Sequence, residues 1–174
     1  MEIVHTAESD TPIGICRIAT TQKGLAYVEL PHPSGWGLDD WLRRCASGAK
    51  VSGAFAPNRA AFTQLIEFFE GKRTAFDLSL DLRGTPFQRR VWAELRTIPY
   101  GETRSYQEVA RAVGRPRAVR AVGAANGANP ISIVVPCHRV IASDGKLGGY
   151  GGGLELKARL LAMERTHATG DRLL

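Results

Sequence analysis

The chain has 174 residues, 44% of them hydrophobic and 23% charged, with 23 Lys and Arg against 17 Asp and Glu for a formal net charge of +6. Such a length buries one or two real cores, and a basic balance points to a polyanionic partner. No apolar run is long enough to span a membrane as a helix, so a soluble protein is expected. No leader-like segment, repeat or low-complexity tract stands out, so a cytoplasmic, nucleoid-associated protein is expected. Cys16, Cys45 and Cys137 are three cysteines at no zinc-like spacing, as expected of free thiols in a reducing compartment. Residues 1–80 read as a mixed α/β structural domain. Strands are predicted over 15–20 and 25–30 around a turn at Gln22-Lys23-Gly24. A short helix follows over 38–46. Phe62, Leu65, Ile66 and Phe69 recur at i, i+3, i+4, i+7 and predict a helix that ends at Gly71. Phe76, Leu78 and Leu80 alternate, as in a strand. Cys16 and Cys45 sit in apolar segments as packing residues. His5 and His32 share no defensible zinc spacing with Cys16.

Residues 81–174 read as a second, mostly helical domain. Thr85-Pro86-Phe87-Gln88 supplies an N-cap, a proline at N1 and a glutamine at N3, so a helix is predicted to run to about Arg96. Ser105-Tyr106-Gln107-Glu108 is a second capping box, and its helix stops at Gly114. A third helix is predicted over 118–125. Two helices joined by a short turn are the layout of a helix-turn-helix unit. Arg111, Arg115, Arg117 and Arg120 line the second helix and its approach, which favours DNA over a merely solvated basic face. Ala118, Ala121, Gly123, Ala124 and Ala125 keep that helix slim. The apolar run Ile131-Ser132-Ile133-Val134-Val135 reads as a buried strand that leads into Pro136-Cys137-His138-Arg139-Val140. Proline breaks pairing, so the chain is expected to turn at Cys137 and expose it. Thiolate is the reactive form of cysteine, and an adjacent imidazole favours it. Taken alone, the pair also fits a buried structural cysteine.

The block RAVGAANGANPISIVVPCHRVI from Arg120 to Ile141 resembles the active-site segment of the O6-alkylguanine-DNA alkyltransferases. Thr85 to Gln88 with Val91-Trp92, and Ile98 to Thr103 with Ser105-Tyr106, match further blocks of that family in order. The resemblance covers roughly residues 80–165. It implies an α/β (α+β) fold: a small N-terminal sheet-and-helix domain before a helical domain with a winged-helix-like DNA-binding unit. It also implies a single-function protein, without the zinc-cysteine sensor domain, that needs no metal or cofactor. Such a protein would bind double-stranded DNA through the minor groove, largely without regard to sequence. It would act as a monomer, with cooperative loading along DNA left open. It would flip O6-alkylguanine, and O4-alkylthymine as a second lesion, out of the duplex.

By the same resemblance, Cys137 would take the alkyl group once and irreversibly. His138 would act as base through a water, with Glu164 orienting the imidazole. Tyr106 would press on the target phosphate and donate a proton to the departing guanine, and Lys157 would serve a proton relay beside it. Asn129 would be the hinge asparagine. Arg139 is read as structural support, with a catalytic role as the alternative. Arg120 would fill the gap in the duplex. Arg115, Arg117, Ala121 and Gly123 would lie along the DNA. Val140, Tyr150, Gly151, Gly152 and Ser132 would line the base pocket. Ser132 stands where some members carry proline, and Gly151 where some carry serine or a bulkier residue. A larger alkyl group than methyl should therefore be admitted.

Three other readings compete. A thiol hydrolase uses Cys, His and Glu as well, but nothing marks an oxyanion hole and the basic helix pair goes unexplained. A zinc base deaminase needs H-x-E followed by P-C-x-x-C, and Cys137 has no partner cysteine. A non-catalytic lesion-binding protein of the alkyltransferase-like type would lack the cysteine, which is present.

Overall fold

Alternating residues and two tight turns build the first sheet. In the computed structural model, which describes residues 1–31 and 37–170, β1 (Ile3–Thr11), β2 (Gly14–Thr21) and β3 (Gly24–Glu29) form an antiparallel meander. After α1 (Leu38–Cys45), β4 (Lys50–Gly53) joins parallel to β1, which gives the order β3-β2-β1-β4. Val4, Ala19, Ala26 and Tyr27 pack against Leu38 and Trp41 of α1. The helix α2 (Arg59–Phe69) buries Phe62, Leu65 and Phe68. His32 lies outside the described residues.

Residues 76–80 do not form the predicted strand. Their exposure alternates, but only Leu80 bridges, to Leu25. The Gln64 side chain takes the place of a neighbouring strand: its amide donates to the Asp77 carbonyl and accepts from the Asp77 N–H, at 3.0 and 2.9 Å. Where the chain does pair, Leu25 N donates to Ser79 O and Asp81 N to Leu25 O. Gly24 makes that approach feasible, since a Cβ there would lie 2.2 Å from the Ser79 carbonyl oxygen.

The chain divides into two compact units, Met1–Arg83 with Pro130–Val134, and Gly84–Asn129 with Val135–Leu174. Pro130–Val134, which the sequence reading assigns to the second domain, thus counts with the first. There Val28 N donates to Pro130 O and Val28 bridges Ile131. The predicted strand over 131–135 is a turn: Val134 N donates to Ser132 O, and Ile133 has φ of +74°. A β-branched residue rarely adopts that left-handed conformation, at a cost of about 1–2 kcal/mol. The apolar pattern therefore reports burial of Ile131, Ile133 and Val135, without a ladder.

The second unit holds α3 (Pro86–Leu95), α4 (Tyr106–Ala112), α5 (Val119–Gly127) and α6 (Leu154–Ala168). Thr85 and Ser105 each close the reciprocal capping box that their sequences predict. Val91, Trp92, Leu95, Val109, Val122, Ala125, Leu160 and Leu161 are buried. The Trp92 indole donates to the Ala125 carbonyl at 2.8 Å and so ties α3 to α5. Two short parallel strands, β5 (Arg104–Ser105) and β6 (Val140–Ile141), pair Ser105 with Ile141. This pairing sets the start of α4 beside the segment that follows Cys137.

Candidate active site

Cys137, His138 and Arg139 form a single 3-10 turn between Pro136 and β6. Contrary to the expectation that the turn exposes the thiol, Cys137 is only 5% exposed and His138 is 0%. The compact turn folds the side chains inward. Burial pushes the Cys137 thiol up. A hydrogen bond from the Asn129 side chain, the charge of Lys157 and the N–H groups of Cys137 and His138 pull the other way.

His138 Nε2 and Glu164 Oε1 are 2.6 Å apart, both groups fully buried. Arg139 grips the same carboxylate with two bonds, Nε to Oε2 at 2.8 Å and Nη2 to Oε1 at 2.9 Å. Its remaining fork nitrogen donates to Ile98 O, and the Tyr100 ring lies 5.6 Å from the guanidinium. Gly101 N donates to Glu164 Oε2 as well. Burial alone would raise the Glu164 pKa, but the bonds from His138 and Arg139 take it down to about 2. The carboxylate is therefore ionised and only accepts, so Nε2 of His138 carries a proton and Nδ1 a lone pair. Burial keeps the imidazole pKa below its ordinary value, hence neutral.

Three residues around the turn come from other elements. Asn129, just past α5, donates to Val135 O at 2.8 Å. Tyr106, the first residue of α4, has its phenol pKa raised by burial and by the Cys137 charge. Lys157 on α6 is fully buried, and its ammonium donates to the carbonyls of Val140, Leu147 and Gly149. Its three protons thus fasten the loop after β6, where the sequence reading expects a relay to Tyr106. Burial brings the Lys157 pKa down to about 8.

The loop runs close to Tyr106. Gly148 has φ of +70°, and a Cβ there would lie 2.8 Å from the Tyr106 hydroxyl. Of the expected pocket residues, Val140 is buried, Tyr150 is half-buried with its ring 6.4 Å from that of His138, Gly152 is partly covered and Gly151 is exposed. Ser132 belongs to the first unit.

On α5, Arg120, Ala121 and Ala124 are exposed, while Val122, Ala125 and Asn126 face inward. Arg111, Arg115 and Arg117 are exposed at the end of α4 and in the turn after it. Gln107 closes that turn by donating to Pro116 O. Gly123 leaves room beside Tyr106, whose Cδ1 would be 4.0 Å from an added Cβ. By sequence the second unit carries fourteen Lys and Arg against seven Asp and Glu, and the first nine against ten, so the excess positive charge sits in the unit that contains these helices. Sequence reasoning missed Asn126, whose amide donates to the Cys137 carbonyl at 3.3 Å. Its only sequence signal was a polar residue on the inward stripe of α5.

A family model for the 6-O-methylguanine DNA methyltransferase DNA-binding domain matches residues 86–166. A methylated-DNA–protein-cysteine methyltransferase of Mycolicibacterium paratuberculosis is 50% identical over 165 residues, 91% of each chain. One from Methanosarcina barkeri is 44% identical over 91% of this chain and 95% of its own. A crystal structure of the Mycobacterium tuberculosis OGT in complex with DNA superposes with a TM-score of 0.80 at 44% identity, covering 93% of both chains.

Proposed function

The chain belongs to the methylated-DNA–protein-cysteine methyltransferases, and from that premise we propose how its own residues repair DNA. The second unit binds duplex DNA through the minor groove, with the slim face of α5 at Ala121 and Gly123 entering it. The minor groove is narrow and its code degenerate, which suits a protein that must find lesions in any sequence. Arg115 and Arg117 contact phosphates. Arg120 fills the space left when the damaged guanine is turned out of the stack. O4-alkylthymine offers a similar alkyl–oxygen bond and is a second substrate. The protein works as a monomer in the cytoplasm.

In the chemical step the Cys137 proton passes through a water to His138 Nδ1. The thiolate attacks the alkyl carbon, the sulfur–carbon bond forms, and the carbon–O6 bond breaks. The electron pair leaves on guanine, which takes a proton from Tyr106. Glu164 stabilises the imidazolium without accepting its proton, because Arg139 and Gly101 already hold the carboxylate. Lys157 and Asn129 favour the thiolate, and Lys157 also holds the loop beside Tyr106. A thioether cannot be reversed by hydroxide or ordinary thiols, so each molecule acts once.

One observation carries this reading. Cys137 and His138 are buried on one turn, and the imidazole bonds a carboxylate kept ionised by a bidentate arginine. The test is incubation with an O6-methylguanine oligonucleotide followed by peptide mass spectrometry. One methyl per protein, on Cys137 alone, is expected. Multiple turnovers, or methyl on Cys16 or Cys45, would refute it.

A further inference from the structure

The backbone of the nucleophile turn is held from outside at two carbonyls. Asn129 takes that of Val135, and Asn126 takes that of Cys137 itself. Asn126 is 5% exposed, and among the described residues its Oδ1 has no hydrogen-bond partner. An unsatisfied buried amide oxygen is costly, about 1–3 kcal/mol. An apolar residue would fill this inward site of α5 without that cost. The Nδ2 donor is thus the feature that distinguishes Asn126 from a core leucine.

We propose that Asn126 is a positioning residue for the alkyl transfer: through the Cys137 carbonyl it fixes the nucleophile turn to α5, the helix whose outer face carries Arg120 and Ala121. The N–H of Cys137 donates to Val135 O at 2.8 Å, and the N–H of His138 on the same turn lowers the thiol pKa. A turn free to rock about its carbonyl holds these groups less well. A shift of α5 against DNA is transmitted to the nucleophile through one side chain, without passing through the apolar core. The other groups that face the sulfur are His138 on the same turn, Tyr106 at the start of α4, Lys157 on α6 and Asn129 beyond α5. Glu164 acts on it only through His138. None of these side chains is substituted in an Asn126 variant, so the loss of the Asn126 donor is read with all of them present.

This inference rests on the reading of Cys137 as alkyl acceptor, and the test separates the two. Asn126→Leu keeps the branched shape and removes the donor, and Asn126→Ser is too short to reach the carbonyl. The rate of Cys137 labelling by iodoacetamide, located by peptide mass spectrometry, is followed against pH beside methyl transfer from an O6-methylguanine duplex. Both variants should label Cys137 about tenfold more slowly at pH 7, one unit of thiol pKa. The deficit should close as pH rises, with methyl transfer falling in parallel. Either folded variant with a native inflection, or with a deficit equal at every pH, would overturn the proposal, since lost packing lowers stability without moving the titration. A native protein that labels at Cys137 yet transfers no methyl would sink the alkyltransferase reading, while the labelling of variant against native protein still decides whether Asn126 tunes the thiol.

Discussion

Glu164 accepts from His138, twice from Arg139 and from Gly101. A carboxylate so held acts as a fixed negative charge. Its pKa of about 2 lies below the ordinary 4.5, so its contribution to stability is full above pH 4.5 and is lost as pH falls toward 2. Unfolding by urea at stepped pH should show that loss. Glu164→Gln leaves Arg139 buried without its counter-charge and should cost about 3–5 kcal/mol. A Glu164→Gln protein with native stability would show that the carboxylate does not carry the site. Cys137→Ser should abolish methyl transfer, whereas Cys16→Ser should retain it, since burial raises the Cys16 pKa to about 11 and leaves that thiol protonated.

Helix α5 exposes Arg120 and Ala121 on one face and buries Asn126 on the other, and under the proposed function its variants should separate docking on DNA from chemistry. Arg120→Ala should slow repair in duplex far more than transfer from free O6-benzylguanine, because only the duplex requires extrusion of the base. Single-turnover rates on both substrates decide it, and equal losses would contradict the finger role. The starts of α3 and α4 were legible because Thr85 with Gln88 and Ser105 with Glu108 are local signals that satisfy their own backbones. The strand β1 was missed because only Val4 in it is fully buried and its other positions are mostly polar. Cys137 and His138 stood out by adjacency. The contacts of Asn126 and Lys157 were illegible, since each bonds backbone carbonyls, and a carbonyl has no signature in a sequence.

For the whole molecule, the charge is divided unevenly. The second unit carries the excess of Lys and Arg, and in the first many basic groups are paired, as Arg17 with Glu29 and Asp39, Arg73 with Glu67, and Arg83 with Glu2 and Asp81. Affinity for DNA should therefore depend on salt mainly through the second unit. Arg115→Ala or Arg117→Ala should weaken binding on every sequence alike and lower the slope of log K against log salt by about 0.9 for each phosphate no longer neutralised. Titrations at several salt concentrations on two unrelated duplexes would measure it. A weakening confined to one sequence would mean that these arginines read bases.

The fastening of the loop by Lys157 divides freedom unequally along the chain. Every residue type brings a carbonyl, so the bonds at Leu147 and Gly149 place no demand on which side chain stands there. Gly148 is bound to its identity by the nearness of Tyr106, and Lys157 by being the common anchor. The wall beside the reacting centre is thus open to mutational drift at some positions and closed at their neighbours. New alkyl substrates can be explored by exchanging the permissive residues while the loop stays moored.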